Sequence, residues 1–326
     1  MERALFWMGG LMATELLQIT NNPKDIDDGF WAITTNFEGE FTGAKFGKVS
    51  KCEWSQLYKP LTKNNWISSH TKEEYCTLVE NFREEIAKGN VYQVNACRIL
   101  SMQCEESLEG LVAGILHHNP AKFAGYLKIP GIEIASASPE RFLSREGMKI
   151  GSTPIKGTRK SGMHGAFPEK DISENIMIVD LMRNDLGRIC LKDSITVPRL
   201  LKTEELPGLT HLVSEIEGVL NEDIRWNQIL EATLPPGSVS GAPKSSAIKL
   251  IGKYENMVRG PYCGAFGWIH ADKAELAVAI RTFWSDGEVV KFGTGAGITW
   301  ASDPESEWEE TELKASRLIA IASGKL

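Results

Sequence analysis

The stretch Phe123-Ala-Gly-Tyr-Leu-Lys-Ile-Pro-Gly-Ile-Glu-Ile-Ala-Ser-Ala-Ser-Pro-Glu-Arg-Phe-Leu-Ser-Arg-Glu-Gly-Met-Lys-Ile150 decides the fold class. Three strand-like runs, residues 123–129, 131–137 and 141–150, follow one another with only Pro130 and a Ser-Pro-Glu between them. A parallel pairing needs a crossover of a dozen residues or so, whereas neighbours joined by a tight turn pair antiparallel. Outward from this stretch, strands are expected over 91–100, 195–201, 210–219, 264–269, 276–284 and 288–295, and shorter ones over 30–36 and 40–49. Helical runs are expected over 71–88, 108–119, 171–186, 226–234, 244–254 and 304–323. Strands thus come in antiparallel groups as well as around helices. That predicts an α+β fold of packed, antiparallel-rich β-sheets flanked by helices rather than a doubly wound parallel sheet.

The 326 residues are 42% hydrophobic and 24% charged, the balance of a globular chain with a real core. No repeat or long Pro/Gly/Ser linker divides it, so residues 1–326 are expected to be one domain. Lys and Arg number 36 against 43 Asp and Glu, a net charge of −7 with no basic block, so a nucleic-acid partner is not expected. The apolar stretch at residues 4–13 is bracketed by Glu2 and Glu15. It falls short of the roughly 18 apolar residues that span a bilayer, so it reads as part of the fold and no membrane association is expected. Six scattered cysteines without a CxxC pair read as reduced, buried thiols of a cytoplasmic protein.

Two acidic lines stand out. Asp171 and Glu174, at i and i+3, share a face of a helix whose apolar residues fall on nearly every side. Glu307, Glu310 and Lys314 run along one edge of the apolar stripe of the last helix, which Asp303 caps and Pro304 opens. Taken singly, each line equally describes acids that complement a helix dipole. Converging, they would make an all-oxygen site suited to Mg²⁺. The glycine-rich runs at 237–245 and 293–297 match neither a P-loop nor a dinucleotide fingerprint. Their backbone N–H groups suit a carboxylate, and Arg281 is a planar fork for one.

Together these motifs resemble the chorismate-utilising enzymes: anthranilate, aminodeoxychorismate, isochorismate and salicylate synthases. The likeness runs from about Phe82 to the C-terminus, leaving residues 1–81 as a shortened N-terminal part. It rests on Tyr92-Gln-Val-Asn, Ser138-Pro-Glu140-Arg, Pro154-Ile-Lys156-Gly-Thr158-Arg159, the run from Glu174 to Arg188, Gly237-Ser-Val-Ser-Gly-Ala-Pro-Lys244, Arg259-Gly-Pro-Tyr262-Cys-Gly264, Ile280-Arg281-Thr282, Gly293-Thr-Gly295-Ala296-Gly-Ile, and the line Glu307, Glu310, Lys314. The resemblance implies an active site between the sheets.

Two positions sort the chemistry within the family. The water-adding members have a lysine base where this chain has Gln93, which cannot act as a base. Anthranilate synthases typically have alanine where this chain has Lys156, and component I of the aminodeoxychorismate synthases has lysine. The resemblance therefore implies amination of chorismate at C4, toward 4-aminobenzoate and folate. Lys156 would be the nucleophile that adds at C2, its pKa lowered by burial and by Arg159 nearby in sequence, and Glu140 the general acid/base. Glu174 and Glu310 would ligate Mg²⁺ directly, with Asp171 and Glu307 holding metal-bound waters, and Lys314 would add charge at the ring carboxylate. Tyr262, Arg281 and the Gly295–Ala296 backbone would hold the enolpyruvyl carboxylate, and Thr158 and His211 would line the ring. Ammonia would come from a glutamine amidotransferase subunit or from solution. Without a Leu-Leu-Glu-Ser inhibitor motif, tryptophan feedback is not expected. Anthranilate synthase component I and a silent chorismate-binding subunit remain alternatives.

Overall fold

The computed structural model describes residues 3–160, 165–206 and 209–325, with the side chains of Thr158, Lys160, Leu206 and Leu209 outside that description. β1 (Leu5–Met8) and β2 (Leu11–Thr20) form a hairpin turning at Gly9 and Gly10, so the apolar stretch at residues 4–13 is two strands. β3 (Phe30–Thr35) and β4 (Phe41–Lys51) form the next hairpin, and β5 (Ile67–Ser68) is a short edge piece. α1 (Lys72–Ala87) opens on a capping box in which Glu74 N donates to Thr71 Oγ1 at 3.2 Å and Thr71 N to Glu74 Oε2 at 2.8 Å. β6 (Gln93–Gln103) and α2 (Glu109–His118) follow.

Next come β7 (Phe123–Ile129), β8 (Ile132–Ser138), β9 (Arg141–Glu146), β10 (Lys149–Thr153) and β11 (Ile155–Lys160). The decisive stretch is therefore all strand, but its third run divides at Gly147 into a hairpin, and β11, over the Pro-Ile-Lys motif, was not foreseen. α3 (Glu169–Gly187), β12 (Thr196–Leu206), β13 (Leu209–Val219), α4 (Trp226–Thr233), β14 (Gly241–Ala242) and α5 (Lys244–Tyr254) lead to β15 (Ala265–His270), β16 (Lys273–Val278), β17 (Thr282–Ser285) and β18 (Val289–Ile298). α6 (Pro304–Ala322) closes the chain, its first turn capped by Asp303, which accepts from Ser306 N at 2.9 Å and contributes about 1 kcal/mol.

Every strand pairing among the described residues is antiparallel. The two expected layers are joined as one ladder. One layer runs β6–β18–β17–β8–β7–β1 and the other β4–β3–β15–β16–β9–β10–β13, with β2 pairing to β1 in the first and to β4 in the second. Glu15, at φ 64, and a register shift between Leu16 and Gln18 mark where β2 changes course. The main core, with Phe6, Trp31, Ile33 and Phe266 beside Val94, Ala96, Leu127 and Ile134, joins residues of both layers. A second core, with Leu111, Ile115, Phe283, Phe292, Leu318 and Ile321, seats α2 and α6 against the first layer. α3 lies on β11 and β13 and α6 on β18, and the two acidic helices meet where Lys170 of α3 reaches Glu307 of α6.

Candidate active site

Four carboxylates and three lysines converge here. Glu174 is buried on the inner face of α3, where Lys156 Nζ from β11 stands 3.4 Å from its Oε2 and Gln93 Nε2 from β6 donates to the same oxygen at 3.3 Å. Glu307 is 4% exposed on α6 and pairs with Lys170 Nζ at 3.2 Å. Lys314 Nζ lies 2.5 Å from Glu310 Oε1 one turn earlier and donates to Gly295 O at 3.0 Å, tying α6 to β18. Asp171 is half-buried at the start of α3. Its carboxyl is pushed up from the usual aspartate range by burial and then by the negative charge of Glu174, with Lys170 and Lys156 opposing. Glu310 goes the other way: burial would raise it, but the Lys314 charge and hydrogen bond hold it down.

The donor set suits Mg²⁺. All four acids offer oxygen, one negative charge is left over after the three lysines, and Oε2 of the buried Glu307 has no hydrogen-bond partner, an acceptor aimed at nothing the protein supplies. As the side chains stand, the lysines occupy the carboxylates. Among the described residues no group of three or more His, Cys, Asp or Glu is close enough to hold an ion.

Glu140 sits between β8 and β9, fully enclosed. Burial raises its carboxyl to about 7, against hydrogen bonds from Ser238 and Ile155 N–H and the charges of Lys156 and Arg281. Its backbone N–H donates to Ser138 Oγ at 3.3 Å and its carbonyl accepts from Val278 N at 3.0 Å, which fixes the turn. A carboxyl titrating near neutrality beside a lysine and an arginine can give and take a proton. Arg281, in a left-handed conformation at φ 52, reaches this site from the turn before β17, its guanidinium pushed down by burial and held up by Glu140. His211, on β13 opposite Thr158 of β11 and Glu204 of β12, is held below the usual histidine range by burial and then by Arg281. The predicted role of the Thr158 side chain falls outside the described residues.

The floor is β18. Tyr262 is buried behind it: a Cβ on Gly293 would come 2.1 Å from Tyr262 Cγ, so the ring fills the space that a side chain there would need. At Gly297 a Cβ would meet Gln93 Nε2 at 2.3 Å and lie 3.6 Å from Lys156 Nζ, so only glycine lets both side chains reach Glu174. Gly295 and Ala296 are buried between them, facing Cys97 and Ala96 of β6.

Two expectations are corrected. Arg159 turns away to Phe167, its guanidinium 4.4 Å from that ring centroid and donating to Gly165 O at 2.6 Å, and the charged neighbour 3.4 Å from Lys156 Nζ is the Glu174 carboxylate. Of the six free cysteines, Cys52 and Cys76 are half-exposed rather than buried. Two residues escaped notice. Lys170 is one residue before Asp171 and i,i+4 to Glu174, a spacing that signals a paired acid. Ser238 lies inside a glycine-rich run whose expected contribution is its backbone N–H groups, and it is its side chain that bonds Glu140. A cavity of about 770 Å³ opens elsewhere, between the Phe37–Gly39 turn, α4, α5 and Arg259, and none of the four acids or three lysines of this site lines it.

An antiparallel α+β scaffold that faces two acidic helices toward a buried, proton-exchanging carboxyl is the architecture of an enzyme. Residues 55–320 match the chorismate binding enzymes, and the chain belongs to that family. It is 36% identical over 261 residues to anthranilate synthase component 1 of Saccharolobus solfataricus, covering 77% of this chain and 62% of that protein. It is 33% identical over 268 residues to aminodeoxychorismate synthase component 1 of Escherichia coli, covering 78% of this chain and 59% of that protein. The match thus spans little more than half the length of these curated relatives. Among solved structures, the menaquinone-specific isochorismate synthase of E. coli superposes with a TM-score of 0.80 over 98% of this chain and 88% of that one. Anthranilate synthase component I of Streptococcus pneumoniae does so with 0.78 over 98% and 90%. Both are 20% identical and share the fold.

Proposed function

We propose that the site aminates chorismate at C4, the reaction of an aminodeoxychorismate synthase component I, with ammonia delivered by a glutamine amidotransferase subunit or taken from solution. The observation that carries this reading is the position of Lys156 on β11, its amine facing Glu174 across from the Gly295–Gly297 floor and within the field of Glu140. Relatives of both kinds, aminodeoxychorismate and anthranilate synthases, match the chain about equally well, so Lys156 is what favours the first.

Lys156 releases its pairing with Glu174, loses a proton to solvent and adds through its neutral Nζ to C2 of the ring. The double bond shifts, the C4–O bond breaks, and Glu140 gives its proton to the departing hydroxyl, which leaves as water. Ammonia then adds at C4 and gives up a proton that restores Glu140, the double bond returns, and the C2–N bond to Lys156 breaks, releasing the neutral amine. The net change is chorismate plus ammonia to aminodeoxychorismate plus water. Tyr262, Arg281 and the Gly295–Ala296 backbone hold the enolpyruvyl carboxylate, and His211 flanks the ring. Mg²⁺, held by Glu174 and Glu310 and through waters by Asp171 and Glu307, would grip the ring carboxylate and offset its charge, with Lys314 adding to it. Residues 1–326 act as one domain in this reading, which the unbroken ladder supports. A cytoplasmic setting accords with six free cysteines, and no described helix is long and apolar enough to cross a membrane.

The nucleophile is tested by incubating the protein with chorismate and Mg²⁺ without ammonia, then mapping peptides by mass spectrometry. An adduct of chorismate less one water on Lys156 is expected. A protein that turns chorismate over on adding ammonia yet never carries that adduct, even after rapid acid quench, would remove Lys156 from the mechanism.

A further inference from the structure

Beneath the floor lies a charged pair that none of the chemistry above uses. Glu255 and Arg259, i and i+4 at the end of α5, have side chains only 1% exposed each. Arg259 grips the carboxylate with both arms, Nε to Oε2 at 2.8 Å and Nη2 to Oε1 at 2.5 Å. A buried pair of this kind is weak evidence for stability, because desolvation offsets most of the attraction. What sets this one apart is where its remaining hydrogen bonds go.

The edge of β6 away from β18 is covered by β14 only at Gln93 and Val94, and by β5 only at Leu100 and Ser101. Ser240 O accepts from Asn95 N at 2.9 Å, and Ser69 serves Ile99. Between them the strand offers Asn95 O and Cys97 N to no other strand. Arg259 Nη2 donates to Asn95 O at 2.6 Å and Glu255 Oε1 accepts from Cys97 N at 3.1 Å, so the ion pair takes the place of a missing strand. On the opposite edge the same residues face Gly297, Ala296 and Gly295 in register. Arg259 Nη1 also donates to Val239 O at 3.3 Å, next to the Ser238 that bonds Glu140, and three residues on, its own chain becomes Tyr262.

We propose that the Glu255–Arg259 pair is a positioning device: one guanidinium–carboxylate unit sets the place of β6, the Ser238 turn and the Tyr262 turn, and so the shape of the receptor for the substrate's carboxylate. That the receptor serves chorismate rests on the function proposed above. The bracket itself does not.

Three proteins test it: the parent, Arg259→Lys, which keeps the charge but not the fork, and the apolar pair Glu255→Leu/Arg259→Met. Each is read by thermal unfolding, by hydrogen exchange of peptides covering 93–99 and 293–298, and by chorismate affinity and turnover. Apolar replacement removes the pair's own desolvation cost but leaves Asn95 O, Cys97 N and Val239 O without their partners, so the double variant is expected to fold with a lowered melting temperature, to exchange faster in both peptides and to bind chorismate at least tenfold more weakly. Arg259→Lys is expected to weaken binding more than it lowers turnover. Parent-like exchange and affinity in the folded double variant would overturn the proposal and leave the pair an ordinary part of the core. If the parent fails to bind chorismate, the functional reading falls, and the exchange data alone decide on the bracket.

Discussion

Replacing Glu140 with Gln removes a titration that the structure makes expensive at high pH. The carboxyl is enclosed and moves from 4.5 to about 7, some 2.5 units, each worth about 1.4 kcal/mol. A raised carboxyl pKa means the folded state holds the proton more tightly than the unfolded chain. Its contribution, about 3 kcal/mol, is therefore fully present below pH 4.5 and is lost as pH rises through 7. Between pH 5.5 and 8 the parent should lose about 2 kcal/mol that the Gln variant keeps. Urea unfolding of both proteins at the two pH values measures this as a double difference in which the other titrating groups cancel. Turnover in the parent should decline with the same titration, because only the protonated acid can release the hydroxyl. Parallel stability–pH curves for the two proteins would refute the burial argument, and undiminished turnover at pH 8.5 would refute the role.

Lys156→Ala should fold like the parent and lower C4 amination by a factor of roughly 100 or more, followed by product analysis; full activity would end its candidacy as nucleophile. Gly297→Ala places a methyl 2.3 Å from Gln93 Nε2 and should push that amide off Glu174, weakening chorismate binding about tenfold or more with little change in melting temperature, since the displaced atom ends a flexible side chain. Lys244→Met should be far more damaging to stability than to the ligand site. It strands the buried Asp185, whose only ion-pair partner among the described residues is Lys244, and leaves Thr233 O without its 3.0 Å donor, a loss of about 3–5 kcal/mol in urea unfolding.

The fold class was legible because short turns between strands leave no room for crossovers, and residues 123–150 carry that signal plainly. Boundaries were less so: the run through Gly147 was read as one strand because its apolar pattern continues across a turn that a single glycine makes. β11 went unread because Pro154 and Gly157 break the alternation, although its pairing with β13 is what carries Lys156 to Glu174. The acidic lines were visible from helical spacing, and the structure brings Asp171, Glu174, Glu307 and Glu310 toward one another. Residues three apart on a strand lie on opposite faces, so the spacing of Arg159 from Lys156 turns its guanidinium away toward Phe167, a sign that is legible only once β11 is known to be a strand. The contacts of Lys170 with Glu307, of Ser238 with Glu140 and of the Glu255–Arg259 pair with β6 span long sequence separations, and local patterns hold no record of them.

The central claim is amination at C4. The purified chain, incubated with chorismate, Mg²⁺ and excess ¹⁵N-ammonium and resolved by mass spectrometry and NMR, should yield a product with ¹⁵N on C4 and the enolpyruvyl group retained, and none after chelation of the metal. Fluorescent anthranilate with release of pyruvate would contradict the account and place amination at C2.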